Sequence, residues 1–150
     1  MKHFLSCLVL SSLALNASAQ TLWRNAPMQA SPAEIRADDP SALLEIPNTR
    51  IANEIFSATF HFESERLQRI LLKSQPPTPE RTQSLLQTLQ TSLHTRYGLP
   101  ISNKARPGAA LGTVDVKWSF RRMTVQLQMV DGQTVELIYD SNIPSPSVAL

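Results

Sequence analysis

Residues 78–100, TPERTQSLLQTLQTSLHTRYGLP, carry the reading on which the fold turns. Thr78 stands where a helix N-cap belongs, Pro79 occupies the first helical position, where its missing N–H costs nothing, and Glu80 puts negative charge into the first turn. Leu85, Leu86, Leu89, Leu93 and Tyr97 recur at helical spacing as one apolar stripe, with Gln83, Gln87, Gln90, Thr91 and His94 on the other sides. Gly98 suits a left-handed cap, and Pro100 forbids continuation. The stripe therefore predicts one amphipathic helix over about 79–97. Its burial, at roughly 1.5–3 kcal/mol per large side chain, makes it the segment with most to contribute to a core.

The flanking segments read as strands. Residues 51–62 alternate, with Phe56, Ala58, Phe60 and Phe62 on one face and Ser57, Thr59 and His61 on the other. After a turn at Glu63-Ser64-Glu65, residues 66–74 return with Leu67 closing the turn and Ile70 and Leu72 facing the core. This hairpin pairs Phe60 with Ile70, Ala58 with Leu72 and, on the outer face, His61 with Arg69. Beyond the helix, residues 102–112 lack periodicity and are read as a loop. Alternation resumes from Thr113. Val114, Val116, Trp118 and Phe120, then Met123, Val125, Leu127 and Met129, then Val135, Leu137 and Tyr139 face inward.

Parity also speaks to the turns. A two-residue type I′ turn at Asp131-Gly132 would set Leu127 opposite Glu136, mixing core and solvent residues on one face. A loop over Val130–Gly132 instead pairs Leu127 with Val135, Val125 with Leu137 and Met123 with Tyr139; it predicts a type I turn with a bulge and positive φ at Gly132. Phe120 pairs with Met123 and Trp118 with Val125. Arginine disfavours positive φ, so a four-residue turn through Arg121-Arg122 is expected. The assembly that results is an α+β domain: an antiparallel sheet of about five strands, of undetermined order, with the long helix on one face.

The N-terminus reads as an address. Lys2 and His3 precede an apolar run from Phe4 to about Leu15 and the small-x-small site Ala17-Ser18-Ala19. The run falls short of the about 20 residues that span a bilayer. Residues 1–19 are thus expected to be a secretory signal peptide, 20–140 one domain and 141–150 a flexible tail; no membrane span is expected once the signal is cleaved, and the location is periplasmic or secreted. Cys7, too early in the run for a lipoprotein cysteine, is the only cysteine and would leave with the signal, so the mature chain has no disulfide and no thiol. The remaining 131 residues carry 13 basic and 12 acidic side chains scattered along the chain, a balance that argues against nucleic acid or an anionic membrane as partner. Ser31-Pro32-Ala33-Glu34 is a capping box opening a short N-terminal helix, stopped at Asp38-Asp39-Pro40; 41–46 can add another turn, and Trp23 packs as a core aromatic.

Chemistry-bearing motifs are absent from the sequence. His61 and His94 have no metal-ligand spacing, and neither a G-x-S-x-G elbow nor a phosphate or dinucleotide loop occurs. Arg121-Arg122 is read as a turn pair rather than an anion site. No cofactor or metal is expected.

Trp23-x-x-x-Pro27 before the capped Ser31-x-x-Glu34, the hairpin pattern Phe60-x-Phe62 with Leu67 and Ile70, Leu93-x-x-x-Tyr97-Gly98-x-Pro100, the isolated Trp118 and the closing hairpin ending at Tyr139 together resemble a loose group of small exported bacterial proteins of uncharacterised function. Arg121-Arg122 departs from it, standing where a glycine-bearing turn is expected. The resemblance implies architecture and offers no catalytic residue. The reading is of an exported non-enzymatic domain that binds a protein, peptide or envelope component; the alternative is a small envelope hydrolase using scattered carboxylates. A partner would meet the sheet face away from the helix, where His61, Arg69, Lys117, Gln126 and Gln128 are the candidate contacts, beside the 102–112 loop.

Overall fold

The computed structural model describes residues 21–23, 26–27, 30–34, 45–104 and 114–144. The signal segment, the residues after 144, the side chain of Trp23 and the stop at 38–40 lie outside them. The strands are β1 (Thr21–Trp23), β2 (Ala26–Pro27), β3 (Glu45–Ile51), β4 (Glu54–Glu63), β5 (Arg66–Ser74), β6 (Ser102–Asn103), β7 (Asp115–Phe120), β8 (Met123–Val130) and β9 (Thr134–Ser141), and the helix α1 is Pro79–Tyr97. β1 and β2 form a small ribbon beside β5 and β9; the other seven build one antiparallel sheet in the order β3-β4-β5-β9-β8-β7-β6.

α1 follows its local chemistry. Thr78 Oγ1 accepts the Arg81 N–H at 3.3 Å, and Leu85, Leu86, Leu89 and Leu93 are buried with Thr82. Because the helix joins β5 to β6, it crosses the sheet face to the far edge, and the chain then returns strand by strand until β9 lands against β5. The match in parity gives two apolar rows beneath the helix, Ala58–Leu72–Leu137–Leu127–Val116 and Phe60–Ile70–Tyr139–Val125–Trp118, each running through five strands. All ten side chains are buried.

The ends of α1 are pinned differently. Near its start, the Arg81 Nε–H donates to Glu54 Oε1 at 2.7 Å, tying the helix to β4. At its end, the Trp118 indole N–H donates to the Gly98 carbonyl at 3.1 Å. Gly98 is not left-handed helical as expected: at φ 82° and ψ −151° it lies in a region essentially reserved for glycine. A Cβ there would meet nothing within 4 Å, so any penalty is purely backbone. Gly98→Ala is expected to lower unfolding free energy by about 1–3 kcal/mol, read from denaturant titration; an unchanged midpoint would contradict this cap.

The sheet corrects the expectation of five strands. Both added strands are edges. β3 contains Pro47 and a register shift between Ile46 and Thr49, which break the alternation and also blunt the edge against pairing with another chain. It takes Glu45 and Ile46 from the anticipated extra helical turn, and Ile51 from the anticipated single strand 51–62. β6 takes Ser102 and Asn103 from the anticipated loop, whose residues 105–112 are not described. Ser141, placed in the tail, closes β9.

The predicted β4–β5 pairings all occur, with Gln68 as an extra residue between Arg69 and Leu67. The turns are tighter than expected. Ala52-Asn53 and Ser64-Glu65 each have positive φ at both positions, the type I′ sign that suits the strand twist. Phe120 pairs with Met123 as predicted, but through only two residues, with Arg121 at φ 56°, so the four-residue turn is overturned. Gly132 has the predicted positive φ (67°), but so does Asp131 (53°), and the Gln133 N–H donates to the Val130 carbonyl. This is a type I′ turn followed by Gln133 as an extra residue. It pairs Leu127 with Leu137 and Val125 with Tyr139, two residues from the predicted register; parity is kept, so the same side chains stay inside. The capping box is formed reciprocally, Ser31 N–H to Glu34 Oε2 at 2.7 Å and Glu34 N–H to Ser31 Oγ at 3.3 Å. The backbone N–H of Ser31 holds the Glu34 carboxyl below its usual range.

Candidate functional site

Strand alternation sends a second set of side chains to the face opposite α1, and the register arranges them in three rows. The first is His61–Arg69–Asp140–Thr124–Ser119, the second Thr59–Leu71–Ile138–Gln126–Lys117, the third Ser57–Lys73–Glu136–Gln128–Asp115. All five candidate contacts lie on this face, but in different rows. His61 on β4 and Lys117 on β7 are four strand spacings apart, about 19 Å, so one small ligand does not reach both.

Two hydrogen-bonded groups organise the face. Arg69 clamps Asp140 across β5 and β9 through Nε to Oδ1 (2.6 Å) and Nη2 to Oδ2 (3.1 Å). This fork raises the Arg69 pKa, chiefly through the hydrogen bond to Asp140. The second group is a chain: Gln126 Nε2 donates to Asp115 Oδ1 (2.8 Å) and to Gln128 Oε1 (3.1 Å), Gln128 Nε2 donates to Glu136 Oε2 (2.6 Å), and Lys73 Nζ lies 3.3 Å from Glu136 Oε1. Both glutamines are thus committed within the face and oriented by it. Their amide donors point at acidic neighbours.

Between these groups sits an apolar pair that the sequence reading passed over in part. Alternation from Ile70 and Leu72 puts Leu71 on the outer face, whereas Ile138, its directly opposed partner, is hidden because Leu137-Ile138-Tyr139 is a continuous apolar run in which alternation is invisible. Ile138 is only 8% exposed and belongs to the outer face, separate from the main core. Beside the Arg69–Asp140 fork the surface opens into a depression of about 510 Å³ lined by His61, Gln68, Arg69, Asp140 and Asn142. His61, Arg69 and Asp140 belong both to this depression and to the first row of the face.

Among the described residues no three His, Cys, Asp or Glu side chains gather as a metal site. The phenols show the most pronounced electrostatic effect, on the helix side. Burial pushes the Tyr139 pKa well above that of a free phenol, and burial likewise raises that of Tyr97. In the unfolded chain tyrosine ionises near pH 10. Above that pH the unfolded chain releases protons that the folded chain retains, so stability falls as pH rises. Thermal unfolding followed from pH 8 to 11 should show this decline, and Tyr139→Phe should flatten it, leaving the smaller slope from Tyr97; an equal slope in the variant would contradict the burial argument.

Comparisons with protein-family models, curated proteins and solved structures give no match.

Proposed function

We propose that the chain is an exported, non-enzymatic α+β domain, akin to the small exported bacterial proteins it resembles, that binds a protein, peptide or envelope component through the sheet face opposite α1. The observation that supports this reading is the ordering of that face: a bidentate Arg69–Asp140 fork and a four-link hydrogen-bonded chain through Gln126 and Gln128 flank the Leu71–Ile138 pair. Side chains fixed in advance lose less freedom on association than free ones, at about 0.5–1.5 kcal/mol each. An extended partner crossing the strands would meet His61 as a polar contact and Arg69 and Lys117 as charged ones, with the glutamines beside them.

The test replaces His61, Arg69 and Lys117 together with alanine and repeats capture from envelope extract on the immobilised protein. The three sites are on the outer face and removal of the exposed Arg69–Asp140 pair costs about 0–1 kcal/mol, so the variant folds. Loss of the captured partner is expected. Equal capture by the folded triple variant places the binding surface elsewhere.

A further inference from the structure

A different part of the molecule gathers charge and apolar surface that are dispersed in the sequence. Where the chain leaves α1 it runs along β7, held by the Ile101 N–H to the Lys117 carbonyl (2.8 Å) and the Lys104 N–H to the Asp115 carbonyl (2.9 Å). At the first anchor Ile101 is 66% exposed, and two residues before it Leu99 is 81% exposed. The other large hydrophobic that is exposed among the described residues, Ile55, lies on β4, well separated from them in the sheet.

Basic residues flank this pair along the chain. The Tyr97 and Phe120 rings meet with centroids 5.4 Å apart; the Arg96 guanidinium lies 5.6 Å from the Tyr97 centroid, and that of Arg121 lies 5.2 Å from the Phe120 centroid. Arg122 follows in the same turn, and Lys104 stands at the other end of the exit segment; all four basic residues are exposed. The stretches 96–104 and 115–122 contain one acidic residue, Asp115, whose carboxylate accepts from Gln126 on the opposite face. The ion pairs Arg69–Asp140, Lys73–Glu136 and Arg81–Glu54 all lie away from this rim.

We propose that this rim docks on an anionic phospholipid bilayer, with Leu99 and Ile101 entering the boundary between headgroups and acyl chains while Arg96, Lys104 and Arg121 pair with lipid phosphates. Two exposed aliphatic side chains with basic residues before, beside and after them along the chain are an arrangement that an anionic interface complements in both its parts. Among the described residues no helix is long and apolar enough to cross the bilayer, so the contact is interfacial. The near balance of charge over the whole chain hid this, since only the fold brings Arg96 and Arg121 to the one contact between Tyr97 and Phe120. The proposal is independent of the sheet-face reading and of its partner.

The test uses the form processed after Ala19 and flotation with two kinds of vesicle, phosphatidylcholine alone and phosphatidylcholine mixed with phosphatidylglycerol. The protein should float with the mixed vesicles, less so as salt is raised, and not with the neutral ones. L99S/I101S should lower the partition by about ten-fold or more. R96Q/R121Q should lower it by about five-fold per charge. Both variants alter exposed side chains and should keep the parent thermal transition. Leu99→Trp should show blue-shifted emission with mixed vesicles only, an independent readout of insertion. Failure of the parent protein to float, equal partition of L99S/I101S, or a parent that dimerises through this rim and does not bind vesicles would each overturn the proposal.

Discussion

Trp118→Ala should cost about 3–5 kcal/mol, the range for emptying a buried aromatic site. Trp118 is 1% exposed and ends an apolar row that runs through five strands; its indole N–H also holds the Gly98 carbonyl, where α1 gives way to the exit segment. One substitution therefore opens a cavity under the helix and leaves a helix-terminal carbonyl without its donor. Trp118→Phe separates the two effects. It keeps most of the ring and loses the hydrogen bond, at about 1 kcal/mol for the bond with some cavity cost in addition. Denaturant unfolding of the three proteins checks the order; a loss below about 1 kcal/mol for Trp118→Ala would mean the indole is not a core element.

The second large effect lies at the junction between the two halves of the sheet. Leu72 on β5 and Leu137 on β9 are directly opposed and buried. Truncating either to alanine should cost about 2–5 kcal/mol. Because they are opposed across the β5–β9 pair, which joins β3-β4-β5 to β9-β8-β7-β6, the double variant should lose less than the sum, with a coupling of about 0.5–3 kcal/mol. Simple additivity would place the two leucines in separate parts of the core.

What could be read from the sequence was what neighbouring residues decide among themselves. The Thr78-Pro79 start of α1, its leucine stripe, the Ser31–Glu34 capping box and the β4–β5 pairings depend on a few adjacent side chains and on period-two alternation, and these were legible. The edges were not. β3 and β6 bury little, and Pro47 or a two-residue length leaves no pattern to detect. Turn geometry was legible only in parity: Arg121 accepts a positive φ because the flanking strands bury Phe120, Met123, Trp118 and Val125 on one side, and that tertiary demand outweighs the local preference. On the candidate site, the membership of the outer face followed from alternation, while its hydrogen-bonded chain did not. Lys73 and Glu136 meet only because β5 pairs with β9, a contact between segments more than sixty residues apart that no local signal announces. The same non-local folding brings Arg96 and Arg121 to the two rings of the Tyr97–Phe120 contact.

The pairing of β5 with β9 makes one sheet of two halves, and with it one continuous outer face and one continuous floor beneath α1. Cross-strand backbone nuclear Overhauser contacts in the isotope-labelled protein measure that pairing directly. The structure predicts contacts joining Ile70 to Tyr139, Leu71 to Ile138 and Leu72 to Leu137, in antiparallel sequence and alongside those from β9 to β8. Contacts from β9 to β8 with none to β5, or a β5–β9 register displaced by one residue, would contradict it.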